Sequence, residues 1–100
     1  MGKVTRFEDL IAWQKARKLT EAIYRTTSQG NLPKDFGLTA QLQRASVSIM
    51  SNIAEGYERG SANDFHRFLF ISKASCAEVR SLIYIARDIG YADESSFNRL

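Results

Sequence analysis

Apolar residues recur along this chain at steps of three and four. Ala12, Ala16, Leu19 and Ile23 are separated by 4, 3 and 4 positions, and Leu38, Leu42, Ala45, Ile49 and Ile53 by 4, 3, 4 and 4. At about 100° per residue, such spacing gathers side chains on one side of an α-helix. A third set, Phe65, Phe68, Leu69, Cys76, Val79, Ile83 and Ala86, shares one broad helical face. No run alternates with a period of two for long, so strands are not expected.

Caps and breakers delimit the helices. Thr5-Arg6-Phe7-Glu8 has the form of a capping box. It predicts a first helix over about 6–27, fading before Ser28-Gln29-Gly30-Asn31 and Pro33. The second helix is predicted over 36–59, with Gly60 as its exit. Ser61, followed three residues later by Asp64, caps a third helix over 62–89, and Gly90 stops it. Asp93-Glu94-Ser95-Ser96 then reads as the start of a fourth, of which about 94–100 is present. The expected architecture is one all-α domain over 1–100, an up-down antiparallel four-helix bundle with its fourth helix cut short.

The second helix lacks an ordinary solvent face. Between Leu38 and Tyr57 only Arg44 and Glu55 are charged, and Ala40, Val47, Ser51 and Ala54 lie opposite the apolar stripe. A surface helix carries charges along its outer side. Burial against a second copy is therefore expected, which makes the protein a homo-oligomer. A polar stripe of Gln41, Arg44, Ser48, Asn52, Glu55 and Arg59 borders the apolar one, within an arc of about 80°. Buried polar groups need partners. Ser72, Ser75 and Glu78 of the third helix are expected to supply them, in a network that fixes helix register. A polar functional site is the alternative.

Composition adds less. The chain is 44% hydrophobic and 25% charged, with one proline, which suits a helical globular domain. A net charge of +3 is compatible with an anionic partner without demanding one. Cys76 is the only cysteine, so no intrachain disulfide can form and a cytoplasmic location is expected. No stretch reaches the roughly 18 apolar residues of a membrane span, so no membrane partner is expected.

Candidate chemistry is sparse. His66 is the only histidine. It has no neighbouring nucleophile in the sequence pattern, and no zinc or phosphate-loop motif is present. No enzyme activity, cofactor, metal or small-molecule substrate is expected. One feature favours a polyanion. His66, Lys73, Arg80 and Arg87 repeat every seven residues and drift only about 60° around the third helix. Phe70 and Tyr84 lie beside them, Asp88 interrupts the acid-free stretch near one end, and Lys18 and Arg25 are seven apart on the first helix. Cations can neutralise phosphates and aromatic faces can stack bases. These six basic residues are the candidate contacts for RNA or DNA, RNA being favoured. The alternatives are a solvated charged face and a protein-protein assembly module with no nucleic-acid role.

Four segments carry a family resemblance: Phe7-Glu-Asp-Leu-Ile-Ala-Trp13-Gln14, Gln41-Leu-Gln-Arg-Ala-Ser-Val-Ser48-Ile49, Ser51-Asn-Ile-Ala-Glu-Gly56, and Phe65 through Glu78. Together they resemble the four-helix-bundle family encoded in intervening sequences of bacterial 23S ribosomal RNA genes, also called S23 ribosomal protein-like. The likeness covers nearly the whole chain. Ala74-Ser75 stands where the family usually has Gly-Ser, which bears on one close helix contact. The family's full fourth helix is cut short here. The resemblance implies an up-down bundle that assembles as a ring, often a pentamer. It also implies similarity to the accessory protein of diversity-generating retroelements, which is thought to bind nucleic acid and a reverse transcriptase.

Overall fold

A computed structural model describes residues 3–91 of the chain. Three helices follow one another: α1 (Ile11–Thr27), α2 (Phe36–Glu58) and α3 (Ala62–Ile89). Single 3-10 turns, Phe7–Asp9 and Leu32–Lys34, precede α1 and α2. No strand occurs among the described residues. No helix among them is long and apolar enough to cross a membrane. The fourth helix expected at 94–100 lies outside the described residues.

Ser61 and Gly90 act as the sequence suggests, and Asp35 adds a cap that the sequence reading did not name. Asp35 caps α2, its Oδ1 accepting from the Leu38 amide at 3.0 Å. The Ser61 hydroxyl accepts from the Asp64 amide at 3.1 Å and caps α3. Gly90, at φ +82°, closes α3 in the left-handed region that glycine enters without strain. The Tyr91 amide then reaches back to the Ala86 carbonyl at 2.9 Å, satisfying an end carbonyl.

The Thr5 capping box does not form. Leu10 is extended (φ −71°, ψ 126°) and separates the 3-10 turn from α1, and neither element has a side-chain cap. Packing explains the break. In one continuous helix Phe7 and Trp13 would point about 120° apart. The kink at Leu10 brings their rings edge to face, with centroids 5.2 Å apart. The Gln14 amide donates to the Glu8 carbonyl at 3.0 Å and holds the two pieces together.

The core is built around α2. Leu38, Leu42, Ala45, Ile49 and Ile53, the whole expected stripe, are buried. Ala16 and Ile23 of α1 meet them from one side, and Val79, Leu82 and Ala86 of α3 from the other. Ala12, expected in the α1 stripe, is exposed, and Leu19 is half-buried. Both neighbours run antiparallel to α2. Thr20 hydrogen-bonds the Ser46 carbonyl and Gln43 the Thr27 hydroxyl. On the far side Ser48 meets Ser75, and Asp35 meets Tyr91. By contrast α1 and α3 hardly touch each other. The molecule measures 43 × 25 × 17 Å. Its length is that of α3, about 42 Å at 1.5 Å per residue.

The buried face of α3 is rotated from the expected one. The seam is Phe68, Ser72, Ser75, Val79, Leu82 and Ala86, at steps of 4, 3, 4, 3 and 4. Leu69 is exposed and Cys76 and Ile83 are half-buried at its flank. Two serines inside the seam are the cause. The Ser72 hydroxyl donates to the Ile49 carbonyl at 2.9 Å, so a polar residue is buried without penalty. Small residues also let α2 and α3 approach closely. A Cβ placed on Gly56 would stand 2.6 Å from the Phe68 Cβ.

Candidate nucleic-acid interface

Two sets of side chains stand out once the helices are packed: a polar cluster between α2 and α3, and a basic line on the outside of α3. The polar cluster is the smaller. Ser48 and Ser75 share a hydrogen bond at 2.9 Å. The Asn52 amide donates both to the Ser48 carbonyl, at 2.8 Å, and to its hydroxyl, at 3.0 Å. Gln41, Arg44, Glu55 and Glu78 are exposed and stand outside these bonds. The polar stripe is therefore wider than the helix contact it borders, and only its inner edge is drawn in. Every buried side-chain nitrogen and oxygen among the described residues has a partner. The cluster locks two helices and leaves none of its buried side-chain groups without a partner.

Sequence reasoning passed over a second polar link, between α1 and α2. Ser46 is fully buried, its hydroxyl donating to the Gln43 carbonyl at 2.9 Å. Thr27, also buried, donates to the Ile23 carbonyl at 2.7 Å and accepts from Gln43 at 3.1 Å. A search for apolar stripes has no signal for threonines and serines that bond back to their own helix.

The basic line belongs to the face of α3 turned away from α2. His66, Lys73, Arg80 and Arg87 are all exposed. Phe70 and Tyr84 are more than half exposed, at 59% and 62%. The His66 and Phe70 rings meet edge to face with centroids 4.8 Å apart. With Leu69 and Lys73 they line a shallow cleft of about 160 Å³. Glu78, the acid of α3 between these cations, sits about 150° around the helix from the middle of the line. Cys76 lies half-buried at the edge of the line. Burial pushes its thiol above the usual range, and the nearby Arg80 guanidinium opposes that only in part.

Lys18 and Arg25 do not join this line. They occupy the exposed back of α1, where Arg25 faces Glu21 at 3.8 Å. A larger open cleft of about 570 Å³ lies beside Lys18, lined by Arg6, Glu8, Trp13, Gln14, Arg17, Lys18 and Glu21. Its charges are of both signs, and the Arg17 guanidinium lies over the Trp13 ring at 5.7 Å. Among the described residues no group of His, Cys, Asp or Glu side chains is placed to hold a metal ion.

A search of curated proteins finds no match to this chain. The family model described as 23S rRNA-intervening sequence protein matches residues 8–100. The chain therefore belongs to the 23S rRNA-intervening sequence protein family.

Proposed function

We propose that this protein is a non-enzymatic, self-associating helical bundle that binds nucleic acid, RNA in the first place, along the outer face of α3. The observation that carries this is the exposed heptad line of His66, Lys73, Arg80 and Arg87, with flanking rings, Glu78 on another side of the helix and Asp88 at one end. Cations in such a line neutralise phosphates spaced along a strand. Self-association draws support from the outside of α2 and the flank of α3. Ala40, Val47 and Ser51 are exposed there with Ile71, Ile85 and Ile89. A ring of copies, as in the pentamers the resemblance implies, would cover part of this surface and repeat the basic line around it.

The bundle is proposed to be of the four-helix up-down type. In a square of four helices the first and third are diagonal and both pack on the second. The way α1 and α3 share α2 while hardly touching supports that arrangement. A cytoplasmic setting fits a single free thiol.

Light scattering tests the proposal, at low and high salt, with and without a mixed-sequence RNA. The expected result is an oligomer whose mass is unchanged by salt and grows with RNA only at low salt. An oligomer that ignores RNA at every salt concentration would favour the second reading, a protein-protein assembly module, for which the exposed isoleucines of α3 speak. A monomer would overturn self-association.

A further inference from the structure

Along the outside of α3 the residues His66, Phe70, Lys73, Ala77, Arg80, Tyr84 and Arg87 follow one another at steps of 4, 3, 4, 3, 4 and 3, and all are exposed. His66 and the three cations hold one position of this heptad, about 10.5 Å apart along the axis. The other position holds a ring, a small residue and a ring. We infer that this face takes single-stranded nucleic acid, its bases stacked on Phe70 and Tyr84 and its phosphates held by the interleaved cations. The inference rests on the nucleic-acid reading above and narrows its ligand from nucleic acid in general to an unpaired strand.

Three observations select this occupant. A parallel two-fold contact with a second copy through the same line would set Lys73, Arg80 and Arg87 against their own copies, which is repulsive. A duplex would engage the cations and leave the rings idle, because its base faces are already stacked on one another. An RNA duplex, moreover, hides its base edges in a deep, narrow major groove. An unpaired strand offers what both positions need, a charged backbone and free π-faces. The cleft of about 160 Å³ between His66, Leu69, Phe70 and Lys73 supports this. It is well below the roughly 300–1,000 Å³ of small-molecule pockets and suits a single planar ring. The cation beside each ring adds charge attraction to stacking.

The test is fluorescence anisotropy at low salt. The intact chain is titrated with a labelled single strand of mixed sequence, in RNA and DNA versions, and with the duplex made from each. Phe70→Ala, Tyr84→Ala and the double variant are compared with Lys73→Ala. The single strand is expected to bind at least about tenfold more tightly than the duplex. Each ring removal is expected to weaken single-strand binding by about 5- to 150-fold and leave duplex binding and the salt slope unchanged. Lys73→Ala is expected to lower the salt slope by about one unit on both. Equal affinity for strand and duplex, with the ring variants silent, would overturn this inference and leave the nucleic-acid reading standing. No binding of any nucleic acid at low salt would overturn both. Ring variants that lower the particle mass while binding RNA normally would assign the rings to a contact between copies instead.

Discussion

One helix of this protein carries two seams with the same spacing and opposite chemistry. The inner seam of α3 runs Phe68, Ser72, Ser75, Val79, Leu82, Ala86, and the outer runs His66, Phe70, Lys73, Ala77, Arg80, Tyr84, Arg87. Both step by fours and threes, so periodicity alone cannot say which faces the core. Residue size and hydrogen-bonding capacity decide it. The inner seam mixes small residues, Ser72, Ser75 and Ala86, with Phe68, Val79 and Leu82, and lets α2 and α3 approach closely. The outer seam carries long cations and rings that remain solvated. The second seam is free to specify a ligand because the first already holds the helix.

The largest separation between the seams is expected at Phe68. It is buried against Gly56 and flanked by the guanidinium groups of Arg59 and Arg67, at 5.1 and 4.9 Å from its ring. Phe68→Ala is expected to destabilise the fold by about 3–5 kcal/mol, read from urea denaturation. Gly56→Ala comes next. It presses a methyl group into the Phe68 Cβ, for which about 1–3 kcal/mol is expected in the same assay. Ser75→Ala removes one shared hydrogen bond but leaves Ser48 bonded to Asn52, so about 1 kcal/mol is expected. On the outer seam, Phe70→Ala and Tyr84→Ala are expected to change stability by no more than about 0.5 kcal/mol while changing binding. A loss of several kcal/mol there would erase the distinction between the seams.

The smallest effect belongs to the end of the helix. The Tyr91 hydroxyl donates to Asp35 Oδ2 at 3.0 Å. That bond, with burial and the carboxylate charge, raises the phenol above its ordinary value of 10.0. A pKa raised in the folded state gives stability that is full below the unfolded value and lost as pH rises through the folded one. An alkaline titration of melting temperature is therefore expected to fall above about pH 10, and less steeply in Tyr91→Phe. Identical curves would show that the bond contributes nothing.

Much of this was legible in the chain, and the parts that were not share a cause. The α2 stripe was complete because every member is apolar and the helix packs on both sides. Ser61 and Gly90 were legible because capping needs a specific side chain or a specific φ. The α3 face came out rotated because Ser72 and Ser75 are polar letters in a core position. Their hydroxyls are satisfied across the helix pair, which only the packed pair reveals. The Thr5 capping box failed because a tertiary preference, Phe7 on Trp13, outweighed a local one. In the polar network, Ser48, Asn52 and Ser75 met as expected. Gln41, Arg44, Glu55 and Glu78 did not, because they lie on the rim of the contact. The basic line kept its shape because a heptad drifts little on a straight helix, whereas Lys18 and Arg25 ended on another helix facing elsewhere.

The sharing of α2 by two neighbours that ignore each other also sets an order of events. Only Arg59, Gly60 and Ser61 separate α2 from α3, so this hairpin closes with little loss of chain entropy. The path from α1 to α2 is longer, and α1 has little contact with α3. The α2–α3 hairpin is thus the natural folding nucleus, with α1 docking afterwards onto a platform already made. Amide protons in the middle of α2 and α3 should accordingly exchange last, and those of α1 should open first.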